Sequence, residues 1–420
     1  MDPSLGSYPR AAELRPTRFG RFVPIAGLDG QPPAIEATTE AEEPPSRPGR
    51  IAYRLRRIVL GPPLDASAIA VERMRKLMAL PVLAADAMSS VAYGPEAMLV
   101  VLVLGGSAGL GYSLPIAAVI AFLILAVGVS YRQTIRAYRH GDGSYIVATE
   151  NLGRVPGLAA AAGLLTDYIL TVAVSVASGA AAVTSAVPAL APAAVPIGAG
   201  TIVVLLLGNL RGVREAATVF AAPTYAFIVA MFALITVGLI GAAGRGFHPV
   251  PPPRLPVTEA VGALLLLRAF SSGSTAMAGV EAVSNAVPSF KPVQWRNAQT
   301  TLTWMVALLI AMFAGLVVVI HLDGLMPNGH QTLLSQLAHR DFGTGFMYGY
   351  VQAATAAVLL LAANSSYNDF PGCCSCWPAA TTRPGCSCGS ATAWPSATAS
   401  SPCRSSPRPS TSPSGPAPSR

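Results

Sequence analysis

Two apolar stretches of this chain contain ionisable and hydroxyl side chains next to residues that weaken a helix. The first, AADAMSSVAYGPEAM, begins at Ala84, and the second, RAFSSGSTAMAGVEAVSN, begins at Arg268. Proline removes a backbone donor, and glycine weakens the helix, so each stretch can free carbonyl groups that could replace the water shell of an ion. Their candidate side chains are Asp86, Ser89, Ser90, Tyr93 and Glu96 in the first, and Arg268, Ser271, Ser272, Ser274, Thr275 and Glu281 in the second.

A third stretch, LTDYILTVAVSVASG, contains an acid, a phenol and two hydroxyls at helical spacing. Asp167, Thr171 and Ser175 follow one another at intervals of four residues, and Tyr168 is adjacent to the acid. This spacing places them on one side of a helix. A carboxylate and a phenol suit a bare cation, although a hydroxyl in such a helix can equally bond its own backbone or a neighbouring helix.

The elements that carry these residues are predicted to cross a membrane. Hydrophobic residues make up 52% of the 420-residue chain and charged residues only 11%, against about 25% charged in a soluble domain. Apolar runs of about 20 residues, long enough to cross a bilayer, recur along it. We predict eight spans, near residues 79–104, 114–131, 157–187, 195–210, 218–242, 260–287, 301–321 and 346–364. Carboxylates within such spans are candidates for function, with Asp86 and Asp167 lying deepest.

The first and sixth spans resemble each other, which indicates an internal repeat. Gly94-Pro95-Glu96-Ala97 in the first corresponds to Gly279-Val280-Glu281-Ala282 in the second. Paired interrupted helices in two halves of a chain are typical of transporters built from inverted repeats. We therefore predict an all-α membrane protein with a 5+5, LeuT-like fold, in which residues 79–242 form the first repeat and residues 260–370 part of the second.

The net charge of +8 is explained better by membrane topology than by nucleic-acid binding. Basic residues cluster before the first span and after the second: Arg54, Arg56, Arg57, Arg73, Arg75, Lys76, Arg132, Arg136, Arg139 and Arg154. The excess of positive charge on alternate connections predicts a cytoplasmic N-terminus in the plasma membrane and no nucleic-acid partner. Residues 1–50, rich in Pro and Glu and without a signal-peptide core, are predicted to be a disordered cytoplasmic arm, and residues 51–78 a basic lead-in.

The composition changes abruptly after Phe370. From Pro371 to Arg420 the chain uses only Pro, Gly, Cys, Ser, Trp, Ala, Thr and Arg, and this tail contains all six cysteines. The codons of these eight residue types are rich in G or C. If the tail is back-translated with such codons and the reading frame is shifted by one base from Gly372, the resulting sequence is a basic loop followed by an apolar run. We interpret residues 371–420 as an out-of-frame, disordered tail. The cysteine spacing does not match a zinc site, and a cytoplasmic segment would not hold disulfides.

Four motifs resemble the amino acid–polyamine–organocation superfamily, and most closely its KimA-type potassium importers. They are DAMSSVAYGPEA, HGDGSYIVATENLG, LTDYILTVAVSVASG and GVEAVSNAVPSFK, within a match over about residues 75–370. The resemblance implies uptake of potassium with protons, about twelve spans, and a cytoplasmic domain that binds cyclic di-AMP. We expect this chain to lack the last spans and that regulatory domain.

The resemblance also implies roles for individual residues. The potassium site of such importers uses residues that match Tyr93, Asp167, Tyr168 and Ser175, and Asp86 matches a further functional carboxylate. Where those relatives have Thr in TGVEA, this chain has Ala278. From their positions, Thr171 and Thr275 are further candidate ligands, and Asp86 and Glu281 are candidates for proton coupling.

We interpret the chain as a secondary transporter that takes up potassium with protons. Two alternatives stay open: a proton-coupled amino acid permease, and a membrane fragment that does not transport. A homodimer is compatible with each. An enzyme is not expected, because the spans contain no His/Glu metal cluster and GDGS at 141–144 lacks the Lys of a phosphate-binding loop. We predict no cofactor and no bound metal beyond the transported ion.

Overall fold

The described part of the chain is mainly helical. The computed structural model describes residues 22–25, 34–37, 76–138, 143–210, 217–251, 255–287, 290–329 and 331–382. By contacts the chain divides into two units, one of residues 1–68 with 210–213 and one of the remainder. The helices of the second unit are α1 Lys76–Leu102, α2 Gly106–Leu110, α3 Ser113–Ala137, α4 Gly143–Leu152, α5 Arg154–Ala186, α6 Ala194–Leu210, α7 Ala217–Gly244, α8 Ala263–Gly273, α9 Ala282–Asn285, α10 Gln294–Leu322, α11 Leu333–Phe342 and α12 Phe346–Thr382.

Eight helical segments of the described chain are long and apolar enough to cross a membrane, which confirms the predicted number and the all-α class. Spans 1 to 8 are Ala79–Leu110, Ser113–Ala137, Arg154–Ala186, Pro188–Leu207, Ala221–Gly244, Ala263–Asn285, Gln294–Leu322 and Phe346–Tyr367. The shorter helices α4 and α11 lie between spans 2 and 3 and between spans 7 and 8.

Span 1 lies at the centre of the bundle. Of the 18 most apolar consecutive residues of span 1, 67% are buried, whereas none of the corresponding residues of span 4 is buried. Span 1 contacts spans 5, 6, 7 and 8, while span 8 packs along span 3 and span 7 along span 2. Large side chains such as Met88, Met98, Phe227 and Phe313 fill the core between them. Span 4 therefore presents most of its apolar surface outward, and span 1 carries its polar groups into the interior.

Span 6 is interrupted where the sequence predicts a break, whereas span 1 is interrupted only later, by the 3₁₀ turn Val103–Gly105. In span 6, α8 ends at Gly273, a 3₁₀ turn covers Ser274–Met277, and α9 begins at Ala282. Span 1, in contrast, continues as a helix through Gly94 and Pro95. The expectation of a break there is wrong. A proline costs a helix one backbone bond and some strain, and the neighbours around α1 hold the helix together despite that loss.

Regular structure also occurs in segments predicted to be disordered. In the first unit, β1 (Phe22–Ile25) pairs antiparallel with β2 (Ala34–Ala37), Phe22 opposite Ala37. These strands contain the β-branched residues that favour extended chains. At the other end, α12 continues past Phe370 to Thr382, since extending a helix is easier than starting one. The other residues of 1–50, residues 51–75 and residues 383–420 lie outside the described chain.

Candidate functional site

The break in span 6 brings its backbone against span 1. Gly279 has a φ of +77°, and a Cβ added there would lie 2.7 Å from Asp86 Oδ2. A Cβ on Gly94 would lie 2.8 Å from the Cβ of Ala276. Glycine is required at position 279 on two counts, because other residues avoid this φ and because no room is left for a side chain. The two spans therefore approach to backbone contact beside a buried carboxylate.

Ser90 bridges the same two spans. Its Oγ lies 2.7 Å from the carbonyl of Ala87 in its own helix and 2.8 Å from the carbonyl of Ala276 in the 3₁₀ turn of span 6. The turn frees carbonyl groups from regular helical bonding, and a buried carbonyl without a donor is costly. One serine hydroxyl thus stabilises the broken segment. The adjacent Ser89 donates to the carbonyl of Asp86 at 2.7 Å and plays a local role.

Three carboxylates and two phenols converge near this contact. Asp86 and Glu281 are buried, and Asp167 is partly buried. Tyr93 lies within electrostatic range of Asp86 and Asp167, and Tyr131 within range of Glu281 and Asp167. We call these five residues the carboxylate cluster. It draws on spans 1, 2, 3 and 6 and includes four of the residues singled out from the sequence.

Tyr131 is the member of the cluster that the sequence analysis missed. Its hydroxyl lies 2.9 Å from Ser144 Oγ in α4, the short helix after span 2. A tyrosine near the end of a span is ordinarily an interfacial anchor. Neither the residue type nor the position of Tyr131 therefore indicated a functional role. The only local hint was the motif HGDGSYIVATENLG, which contains Ser144.

The predicted polar face of span 3 is buried. Tyr168, Thr171 and Ser175 are at most 6% exposed and lie along one side of α5. The hydroxyl of Ser175 has no hydrogen-bond partner among the described residues. Burying a hydroxyl without a partner costs free energy, so this position can offer an oxygen to a ligand at little competing cost.

Two polar candidates of span 6, Thr275 and Arg268, lie apart from the cluster. Thr275 is exposed and donates its hydroxyl to the carbonyl of Ser272 at 2.8 Å, within its own turn. Arg268 follows four leucines in the sequence but is not buried among them. Its guanidinium is half exposed and pairs with Glu259, in the connection before span 6, at 3.0 Å. A long arginine side chain reaches water from an apolar helix more cheaply than it stays buried.

Glu96 has a structural partner at the other end of span 1. Its Oε2 accepts a hydrogen bond from the backbone N–H of Leu333, the first residue of α11, at 3.3 Å. Thr332 caps the same helix by accepting from the N–H of Ser335 at 3.2 Å. The first N–H groups of a helix lack internal partners and attract negative charge. Glu96 therefore fastens α11 to span 1.

Comparison with known proteins identifies the family. The family model described as amino acid permease matches residues 80–372. This chain belongs to the amino acid permease family. Membership places the permease among membrane transport proteins and not among enzymes, and it confirms the resemblance to the amino acid–polyamine–organocation superfamily.

The permease is also similar to a characterised relative. It is 44% identical over 321 residues to the potassium transporter KimA of Bacillus subtilis (strain 168). The match covers 76% of this chain and 53% of the relative. The permease therefore spans about half the length of the curated relative it matches, and the resemblance to KimA-type proteins noted in the motifs is confirmed.

The described residues contain no preformed metal site. Within the described ranges, no three His, Cys, Asp or Glu side chains come together closely enough to hold a metal. Asp86, Asp167 and Glu281 therefore lie within electrostatic range of the two phenols without forming one set of metal ligands.

Proposed function

We propose that this permease takes up potassium in symport with protons. The observation that carries the proposal is the convergence of Asp86, Asp167 and Glu281 with the phenols of Tyr93 and Tyr131 beside the broken span 6. Such a site offers negative charge and oxygen ligands to a cation that has shed its water. The similarity to a potassium transporter supports the same ion.

In this proposal the roles divide between two groups of residues. Tyr93, Asp167, Tyr168, Thr171 and Ser175 bind the ion, because they line span 3 and the facing part of span 1. Asp86 and Glu281 carry the proton, because both are buried, Asp86 against Gly279 and Glu281 two residues after it. Thr275 serves as a ligand only if span 6 turns its hydroxyl inward during transport.

The proposal includes a topology in which the N-terminus is cytoplasmic and the membrane is the plasma membrane. Basic residues flank alternate connections, which supports this orientation. Residues 79–242 then form the first repeat and residues 260–370 belong to the second. The carboxylate cluster lies toward the cytoplasmic ends of spans 2 and 6, and α11 lies on the outer side. A homodimer is compatible with this arrangement.

Uptake by an uptake-deficient host tests the proposal directly. The chain is expressed as it stands and with the reading frame shifted by one base after Phe370, and growth is measured at limiting potassium. Rescue by either form, lost in the Asp167→Asn variant, supports potassium uptake. Accumulation of a labelled amino acid without potassium rescue would favour the amino acid permease. Membrane insertion with no uptake of either would favour a fragment that does not transport.

A further inference from the structure

The cytoplasmic ends of spans 2 and 7 are joined through an arginine. The Arg132 guanidinium donates to Thr303 Oγ1 at 3.2 Å, and its backbone carbonyl accepts from Gln299 Nε2 at 2.7 Å. Span 7 thus holds both the main chain and the side chain of Arg132. A flexible arginine on a helix end is thereby given a defined position between two helices.

Two further arginines belong to the same ends of these two spans. Arg296 precedes Gln299 and Thr303 by three and seven residues, which places it on the same face of span 7. Its guanidinium stacks 5.1 Å above the ring of Trp295. Arg136 follows Arg132 by one helical turn in span 2. Since the two spans run antiparallel, this turn carries Arg136 toward the start of span 7, where Arg296 lies. We call Arg132, Arg136 and Arg296 the arginine cleft.

The arginine cleft has no acidic counterpart on the helices that form it. Neither Ser113–Ala137 nor Gln294–Leu322 contains an aspartate or glutamate. The ion pairs found among the described residues involve Arg245, Arg268 and Arg340 instead. All three guanidinium groups of the cleft are exposed. Three neighbouring positive charges repel one another unless an anion lies between them.

Apolar side chains face outward directly below the arginines. Val129, one turn before Arg132, is 49% exposed, and Trp304, next to Thr303, is 43% exposed. In a membrane these side chains meet acyl chains while the guanidinium groups reach the headgroup region. A ligand that matches both zones has a negatively charged head and an apolar tail.

We propose that the arginine cleft binds the headgroup of an anionic phospholipid from the cytoplasmic leaflet. Arginine forks bind phosphate oxygens in two-point contacts, and basic pockets between spans on this side select anionic lipids. The general excess of basic residues on the cytoplasmic side of membrane proteins explains why arginines lie here. It does not explain why one is fixed by Thr303 and Gln299 and another by an aromatic ring.

Lipid retention measures this selectivity without requiring transport. The full chain is reconstituted in equal amounts of phosphatidylglycerol and phosphatidylcholine and extracted in mild detergent, and the lipids that remain bound are counted by native mass spectrometry. We expect selective retention of phosphatidylglycerol. An arginine near anionic lipid is worth about a fivefold change in affinity, so Arg296→Gln should lower retention about fivefold and Arg132→Gln/Arg136→Gln/Arg296→Gln more than tenfold.

The matched control is Arg154→Gln, which removes one exposed arginine at the start of span 3, on neither of the helices that form the cleft. It should retain phosphatidylglycerol within twofold of the unchanged chain. Equal retention by the triple variant, or equal retention of phosphatidylcholine, would overturn the proposal. Displacement by millimolar inorganic phosphate would show that free phosphate is the ligand and would overturn it too. If the triple variant fails to insert, the comparison of Arg296→Gln with Arg154→Gln decides whether the cleft selects the lipid.

Discussion

At the scale of single residues, the carboxylates differ in how exposed their side chains are. Asp167 is partly exposed beside the buried hydroxyl face of span 3, whereas Asp86 is buried against the backbone of Gly279. An accessible carboxylate suits an ion that must enter and leave. A buried carboxylate held against the broken segment of span 6 suits the proton-carrying role proposed for Asp86.

We expect Asp167→Asn to lower potassium uptake at least tenfold while the protein still reaches the membrane. Contacts to a charged partner contribute about 1.5–3 kcal/mol, and each 1.4 kcal/mol corresponds to a factor of ten. Uptake of labelled rubidium by expressing cells measures the effect. The matched control is Glu259→Gln, which removes an exposed carboxylate paired with Arg268 and should leave uptake unchanged. Normal uptake by Asp167→Asn would contradict its role as a ligand.

Asp86→Asn should separate ion movement from the proton gradient. The amide keeps the shape of the side chain but cannot release a proton, so uptake should lose its response to external pH. Rubidium uptake into liposomes with and without an imposed pH gradient measures this. If the variant still responds to the gradient as the unchanged protein does, the proton passes through another group, and Glu281 is the next to substitute.

At the scale of elements, the contrast between spans 1 and 6 determines the site. Span 1 stays helical through Pro95 and supplies side chains, while span 6 unwinds between Gly273 and Ala282 and supplies backbone. Ser90 connects them through the carbonyl of Ala276. The break is therefore supported by specific contacts, and it should be sensitive to added side-chain volume.

Gly279→Ala should destabilise the protein more than a glycine substitution that adds only backbone strain. The left-handed conformation alone costs about 1–2 kcal/mol for a residue with a Cβ, and here the Cβ would also collide with Asp86 and Ala87. Gly153 provides the control, since its φ is +96° but nothing lies within 4 Å of an added Cβ. Thermal unfolding in detergent should show the larger drop in Tm for Gly279→Ala. Equal drops would mean that span 6 can move away from span 1.

At the scale of the whole molecule, an ionic network ties three distant segments at the end opposite the carboxylate cluster. Asp323, after span 7, is 4% exposed and pairs with Arg245, which follows span 5, and with Arg340 of α11 at 3.3 Å. Arg340 also donates to the carbonyl of Asp323 at 2.8 Å. Together with the hydrogen bond that the Leu333 N–H donates to Glu96, these contacts fasten α11 across the bundle. Any motion that opens this end must break them.

Asp341 should make stability depend on pH. Burial, with a smaller contribution from Asp323, raises the pKa of Asp341 from 3.8 to about 6, although Arg340 and Arg245 oppose the shift. Its Oδ2 has no hydrogen-bond partner among the described residues. The folded state therefore binds the proton more tightly than the unfolded state. This contribution is fully present below pH 4 and is lost as the pH rises through 6.

Asp341→Asn removes the ionisation, so its stability advantage over the unchanged protein should grow as the pH rises from 4 to 7. The group is partly exposed, which limits the advantage to about 1 kcal/mol at pH 7. Thermal unfolding in detergent at both pH values measures it. A control substitution, Glu259→Gln at an exposed ion pair, should show little change. An advantage that is the same at both pH values would contradict the role of Asp341.

Much of this architecture could be predicted from local composition. A span is defined by about 20 apolar residues in succession, so eight of them were found at nearly the positions the structure gives. Short motifs identified the family, because their residues are contiguous. The carboxylates Asp86, Asp167 and Glu281 stood out for the same reason, since an acid in an apolar run is visible without knowing its neighbours.

Only the tertiary structure decided which groups meet. Tyr131 joins the carboxylate cluster through helix packing, and Arg268 leaves the interior for Glu259. Pro95 stays within a helix while Gly279 breaks one. The physical reason is that hydropathy and helix propensity act over a few adjacent residues. Contacts between spans instead depend on residues far apart along the chain, and on how closely two backbones can approach where a side chain is absent.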